Sequence, residues 1–260
     1  MSDNQKTLNS SIEFTGVGLH TGEGVHMVIE PAKINHGVKF QRIDLENQPI
    51  LPADINLVTD TQRSTTLEKD NVKIVTVEHL MSALYALGVN NVLIKMDSSE
   101  VPILDGSAKY FVEEIQKVGL KVQDAPLKYI DLPDPIHYTD PDSGSEILFV
   151  PTNNFIISVV LDYQNLALGT QYAEIRDLKD YSTEIAPCKT FVFLTELEKL
   201  SKANLIKGGG LENAIVVVDR EDTKPSEIKK LAHLLGKDGS DIQINGNVLN
   251  NCEMQFYNEP

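Results

Sequence analysis

Thr76-Val77-Glu78-His79-Leu80 sets a carboxylate beside an imidazole where a strand pattern gives way to a helix pattern. Upstream, Val72, Ile74 and Val75 read as the end of a strand. Downstream, Leu80, Ala83, Leu84 and Leu87 recur at i, i+3, i+4 and i+7, one face of a helix that Gly88 closes. Thr76 reads as the N-cap, which puts Glu78 and His79 in the first turn. A helix start beside a strand end is rigid and open to solvent, so it suits chemistry. The plainer reading also stands: Glu is favoured in a first turn by the helix dipole, and a lone histidine is more often structural.

Working outward, residues 7–45 read as antiparallel strands. Ile12 and Phe14 lead into Gly16-Val17-Gly18-Leu19-His20-Thr21-Gly22, and Val25, Met27 and Ile29 then alternate as in a half-buried strand. The glycines fit a tight hairpin; with no third glycine and no helix following, the G-x-G is not a dinucleotide fingerprint. His20 sits in this turn, where a histidine is more often solvent-facing than functional. Residues 54–67 are strand-like, and Val92-Leu93-Ile94-Lys95-Met96 alternates again. Pro102-Ile103-Leu104-Asp105-Gly106-Ser107 precedes a second helix with Ala108, Phe111, Val112, Ile115 and Val118 on its buried face and Gly119 as its stop. Asp105 and Ser107 read first as caps of that helix. Strands and helices in this order predict an α+β unit, a sheet covered on one face.

Pro126, Pro133 and Pro135 among polar residues mark a boundary, after which the pattern restarts. Residues 146–151 and 155–161 read as a hairpin echoing the early one, a weak internal repeat. Thr195-Glu196-Leu197-Glu198 has the form of a capping box, opening a helix that ends near Ala203-Asn204. Leu205, Ile206, a Gly208-Gly209-Gly210 run and the strand-like Ala214-Ile215-Val216-Val217-Val218 follow. So much apolar surface around a short helix fits a packed subdomain or one wall of a lipid slot, and packing is the commoner case. Residues 223–235 predict another helix. Its His233 and Asp238 are about 140° apart round a helix, against metal-ligand spacing. His26, His36 and His137 read as structural or solvated.

The bulk properties bound the function. The 260 residues are 41% hydrophobic and carry a net charge of −15, enough for a real core and unfavourable to nucleic-acid binding. Two cysteines, Cys188 and Cys252, without metal or redox spacing, suit a reducing cytoplasm. No apolar run is long enough to predict a membrane span, and residues 1–6 predict no signal peptide.

Five stretches together resemble the zinc deacetylases of bacterial lipid A biosynthesis, the UDP-3-O-acyl-N-acetylglucosamine deacetylases. They are Gly16–Gly22, Thr76–Leu80, Pro102–Ser107, Lys189-Thr190-Phe191 and Ala214–Val217, in the family's order across almost the whole chain. The resemblance implies two related α+β domains, each a sheet layered with helices, over residues 1–126 and 127–260. It implies Zn2+ as cofactor, a UDP-linked acylated amino sugar as substrate, and hydrolysis of its acetamide to release acetate. His79 then looks like a zinc ligand, Glu78 like the base that deprotonates the attacking water, and Thr190 like a hydroxyl that holds the oxyanion. His20, Phe191, Leu197, Leu200, Ile206, Leu211 and Ala214 look like substrate-binding residues. The last six lie in an acyl-chain passage over Phe191–Val216, which reverses the preference for plain packing there.

The family carries two more zinc ligands in a His-Lys-x-x-Asp helix, followed by a further histidine as general acid. That helix follows a segment like Asn251–Pro260, where this sequence stops. A catalytic zinc takes three protein ligands and a water, and this sequence supplies one. The expectation is therefore an incomplete second domain in part of a longer product. The alternatives are an inactive nucleotide-sugar or acyl-binding relative, or the first part of a fusion to a hydroxyacyl-carrier-protein dehydratase.

Overall fold

The computed structural model describes residues 4–165, 167–202 and 207–219, with isolated positions 226, 229, 244–245 and 248–249. In the first half the strands are β1 (Asn4–Leu8), β2 (Ile12–Val17), β3 (Gly24–Pro31), β4 (Val38–Arg42), β5 (Ile50–Pro52), β6 (Val58–Asp60), β7 (Thr66–Lys69) and β8 (Val72–Ile74). Helix α1 (Glu78–Ala86), β9 (Val92–Met96), α2 (Lys109–Val118) and β10 (Leu120–Pro126) complete it. Then come β11 (Ile136–Thr139), β12 (Glu146–Phe149), β13 (Ile157–Asp162), β14 (Thr170–Ile175), α3 (Tyr181–Glu184), β15 (Phe191–Phe193), α4 (Leu194–Lys202), β16 (Ile215–Val217), β17 (Ile244–Asn245) and β18 (Val248–Leu249). The architecture is mixed α+β.

The central sheet runs β2-β3-β9-β4-β5, with β4 and β9 parallel and the other pairs antiparallel. Alternation decides its faces: Val25, Met27 and Ile29 from β3 and Val92, Ile94 and Met96 from β9 are buried. Leu80, Ala83 and Leu84 of α1 and Phe111, Val112 and Ile115 of α2 join the same core. Phe111 meets Phe14 edge to face, with ring centroids 5.0 Å apart. Burying side chains of this size contributes roughly 1.5–3 kcal/mol each, so this layer dominates the stability of the first half. Gly119, at φ 71, ends α2 where a side chain would be strained.

Three expectations are corrected. Thr76 is not a cap: α1 has no side-chain cap bond, and the Thr76 hydroxyl donates instead to Glu100, 2.9 Å away. The 146–151 and 155–161 runs do not pair with each other; β12 pairs β11, and β13 pairs β14. An apolar run specifies burial but not its partner. At α4 the cap comes from across the fold, because Thr195 donates its N–H (3.1 Å) and its hydroxyl to Asp219. The 223–235 helix, of which only Ser226 and Lys229 are described, falls otherwise outside the described residues. So do Leu205, Ile206, His233, Asp238 and the 250–260 segment. Among the described residues, no helix is long and apolar enough to cross a membrane.

Candidate functional site

Glu78 and His79 are the first two residues of α1. The Glu78 carboxylate accepts the Thr65 N–H at 2.9 Å, which aims it at the β6–β7 connection. His79 is half-buried. Burial pushes its imidazole below the usual histidine range, and the nearby Glu78 and Asp105 carboxylates act the other way. The ring is therefore neutral at pH 7, the form in which a nitrogen lone pair can ligate a metal or take a proton. One turn on, Ser82 bonds the Tyr181 hydroxyl of α3 at 2.7 Å.

Asp105 connects this turn to the second half. Its Oδ1 accepts from the Ser107 N–H and hydroxyl at 3.1 and 2.7 Å, and Ser107 Oγ accepts the Lys109 N–H at 3.2 Å. Its Oδ2 lies 3.9 Å from Lys189 Nζ, which also donates to the Glu212 carbonyl at 2.8 Å. Asp105 thus does local turn work and faces His79 as well. Thr190 is pinned by its backbone: its N–H donates to Gly106 O at 2.8 Å and its carbonyl accepts the Ile215 N–H at 2.9 Å.

A cavity of about 700 Å3 has Thr190 in its wall, whereas Glu78, His79 and Asp105 are not among its lining residues. Leu19, His20 and Thr21 line it from the β2–β3 turn, and Arg63, Ser64 and Thr66 from the β6–β7 side. The parallel β15–α4–β16 unit supplies Thr190, Phe191, Leu197, Leu200, Leu211, Ala214 and Val216. Leu197 and Leu200 do double duty, since both are also buried in a small second core with Val192, Leu194 and Val216. Phe191 packs edge-on to Tyr163 and Phe193 at 5.5 and 5.6 Å. At the rim, Arg63 Nη2 lies 3.1 Å from Glu196 Oε1, joining the hairpin to α4. His20 Nε2 is buried with no hydrogen-bond partner among the described residues. The turn carrying it lies directly on the 207–210 segment: Gly208 donates to Leu19 O at 3.1 Å, and a Cβ on Gly208 would lie 2.0 Å from Gly18 O.

Seven of the residues named from sequence, His20, Thr190, Phe191, Leu197, Leu200, Leu211 and Ala214, line this one cavity. Sequence reasoning gave no role to Leu19 and Val216, although they lie in the Gly16–Gly22 and Ala214–Val217 stretches, to Arg63, which lies in none of the five, or to Glu100, which opens the apolar Val101-Pro102-Ile103-Leu104 run. An acid opening such a run was the available signal.

A model of the UDP-3-O-acyl N-acetylglycosamine deacetylases matches residues 5–230. The chain belongs to that family. Among curated relatives, the "Bifunctional enzyme LpxC/FabZ" of Bacteroides thetaiotaomicron is 45% identical over 232 residues, 89% of this chain and 50% of that protein. Its Chlorobaculum tepidum namesake is 39% identical, over 98% of this chain and 55% of that protein. The UDP-3-O-acyl-N-acetylglucosamine deacetylase of Pseudomonas entomophila is 40% identical over 94% of this chain and 82% of its own. The chain thus spans about half the length of the bifunctional relatives.

The family is one of metalloenzymes, and the described residues meet that requirement in part. His79, neutral and flanked by two carboxylates, suits one ligand position. Among the described residues, no group of three His, Cys, Asp or Glu side chains could hold a metal ion. One histidine does not make a deacetylase zinc site, which takes three protein ligands.

Proposed function

We propose that this chain is the substrate-holding part of a zinc-dependent deacetylase acting on UDP-3-O-acyl-N-acetylglucosamine in the cytoplasm, with two α+β domains meeting near residue 126. What supports the reading most is the convergence of His20, Thr190, Phe191 and Leu211 on one largely apolar cavity in a member of this family. An acyl chain takes the cavity between α4 and β16, and the acetamide lies toward Glu78 and Thr190. Zinc, when bound, polarises the amide carbonyl and acidifies water; His79 serves as one ligand, and the other two come from outside the described residues. Glu78 takes the proton from the attacking water, and the Thr190 hydroxyl donates to the oxygen that becomes negative. Held by the Thr65 N–H, the Glu78 carboxylate keeps one fixed orientation for that transfer.

The test compares the 260-residue chain with the product of its full reading frame, by metal analysis and acetate release. In the full product, His79→Ala lowers bound zinc, whereas Glu78→Ala keeps zinc and loses most turnover. Stoichiometric zinc and turnover from the 260-residue chain would show that this chain itself carries all three ligands. A full product that neither binds zinc nor releases acetate is an inactive binding relative. A second reading is that the chain begins a deacetylase/dehydratase fusion. The bifunctional relatives, aligned over 50% and 55% of their lengths, support it. Dehydration of a hydroxyacyl carrier protein by the full product is its test.

A further inference from the structure

Glu100 has no solvent exposure, yet it carries a carboxylate. Such a group is tolerated when its oxygens collect hydrogen bonds, and here the donors come from two separate elements. From the β2–β3 turn, the His20 N–H lies 3.0 Å from Oε1 and 3.2 Å from Oε2, and Thr21 gives Oε2 its N–H and its hydroxyl, each at 2.8 Å. From the approach to α1, the Thr76 hydroxyl lies 2.9 Å from Oε1. The turn is shaped around this carboxylate, since a Cβ on Gly18 would stand 2.3 Å from Glu100 Oε2. Thr76, for its part, is held at φ 60, a conformation a β-branched residue keeps only where its surroundings enforce it.

These two elements are the ones the site depends on. Leu19, His20 and Thr21 form a cavity wall, and Thr76 stands two residues before Glu78. We propose that Glu100 is a positioning residue that locks the His20 turn and the Glu78–His79 turn to each other, setting the spacing between the cavity and the reacting groups. The proposal rests on the deacetylase reading for its kinetic consequence but not for its structural one. Two carboxylate oxygens can serve all these donors; an amide in the same place offers one acceptor and turns an NH2 toward the remaining donors.

The test uses Glu100→Gln, Thr76→Val and, as a comparison, Leu8→Ala, which lowers stability at a buried residue that does not line the cavity. In the full reading-frame product, Glu100→Gln lowers kcat and raises KM, each about tenfold, within what small misplacements of reacting groups cost. Thr76→Val keeps the branched side chain and its backbone preference while deleting the hydroxyl, so kcat falls and KM stays near wild type. Kinetics for both that move no further than those of Leu8→Ala at equal loss of thermal stability would overturn the proposal. Should Glu100→Gln fail to fold, Thr76→Val alone decides on the same criterion. Independently of activity, amide exchange in the 260-residue chain reads the anchor directly. In Glu100→Gln the His20 and Thr21 amides exchange faster by about tenfold, the ratio one lost hydrogen bond gives, while β9 amides do not. Unchanged His20 and Thr21 exchange would sink the proposal. A wild-type product without turnover would instead sink the deacetylase reading and leave exchange to judge Glu100.

Discussion

At the scale of single residues, space beside the site is set by backbone rather than side chains. A Cβ on Gly106 would stand 1.9 Å from the Asn213 carbonyl oxygen, and Gly106 is held at φ +85. Neither the oxygen nor the dihedral can yield cheaply. Gly106→Ala is therefore expected to cost about 2–4 kcal/mol, the range of mutations that combine backbone strain with overpacking, as a lowered thermal midpoint. A midpoint within a degree of wild type would show that the 106 and 213 loops separate freely. Leu211 offers the complementary case. It lines the cavity but is only partly buried, unlike Leu197 and Leu200, which also hold the second core. Leu211→Asp should thus weaken binding of an acylated ligand with little loss of stability, whereas Leu197→Asp should unfold the β15–α4–β16 unit. Titration calorimetry beside thermal unfolding separates the two, and equal ligand affinity in Leu211→Asp would remove the cavity from acyl recognition.

At the scale of elements, the clearest electrostatic link ties β4 to β8. Arg42 forks onto Asp44 through Nε (2.8 Å) and Nη2 (2.6 Å) and donates from Nη1 to the Lys73 carbonyl (3.1 Å). The hydrogen bond from Arg42 holds the Asp44 carboxyl below its usual range. A depressed folded value means the contribution is present above the unfolded carboxylate value of about 3.9 and is lost as pH falls below it. Arg42→Met should cost about 1.5–3 kcal/mol at pH 7, the worth of charged hydrogen bonds, and the deficit should shrink below about pH 3.9. A deficit unchanged between pH 7 and pH 3 would show that lost packing, not charge, is responsible. The Arg63–Glu196 pair across the cavity rim is more exposed, and such pairs contribute at most about 1 kcal/mol. Elements themselves were mostly legible. Leu80-Ala83-Leu84 and Phe111-Val112-Ile115 announce their buried faces by spacing alone, and Gly119 announces its stop. What sequence could not show was long-range partnership: Thr76 bonds a carboxylate 24 residues away, and Asp219 caps a helix 24 residues before it.

At the scale of the molecule, the same asymmetry separates fold from site. Seven of the cavity residues were legible because a family pattern names them; how the His20 turn is held beside them was not, because it depends on glycine contacts and on Glu100. The two hairpins β11–β12 and β13–β14 show what local pattern alone leaves open. Their apolar residues remain exposed, Leu148 by 61% and Val160 by 67%, a surface that ordinarily marks an interface. With a net charge of −15 at pH 7 and a sequence pI of about 4.8, repulsion keeps such faces apart at neutral pH and fades on acidification. Light scattering from the 260-residue chain should therefore rise between pH 7.5 and pH 5 while circular dichroism stays constant. Scattering that stays flat would mean these faces are covered in solution. The glycine contact between the 18–22 turn and the 207–210 segment carries a different consequence, for the history and pharmacology of the cavity. That seam leaves no room for even one methyl group, so selection has almost no variants to work with there. Adaptation to a longer or shorter occupant must be written on the wall that Leu211, Val216 and the α4 residues Leu197 and Leu200 form. Escape mutations against a compound filling this space should cluster on that wall, and a compound gripping the seam should be the hardest to escape.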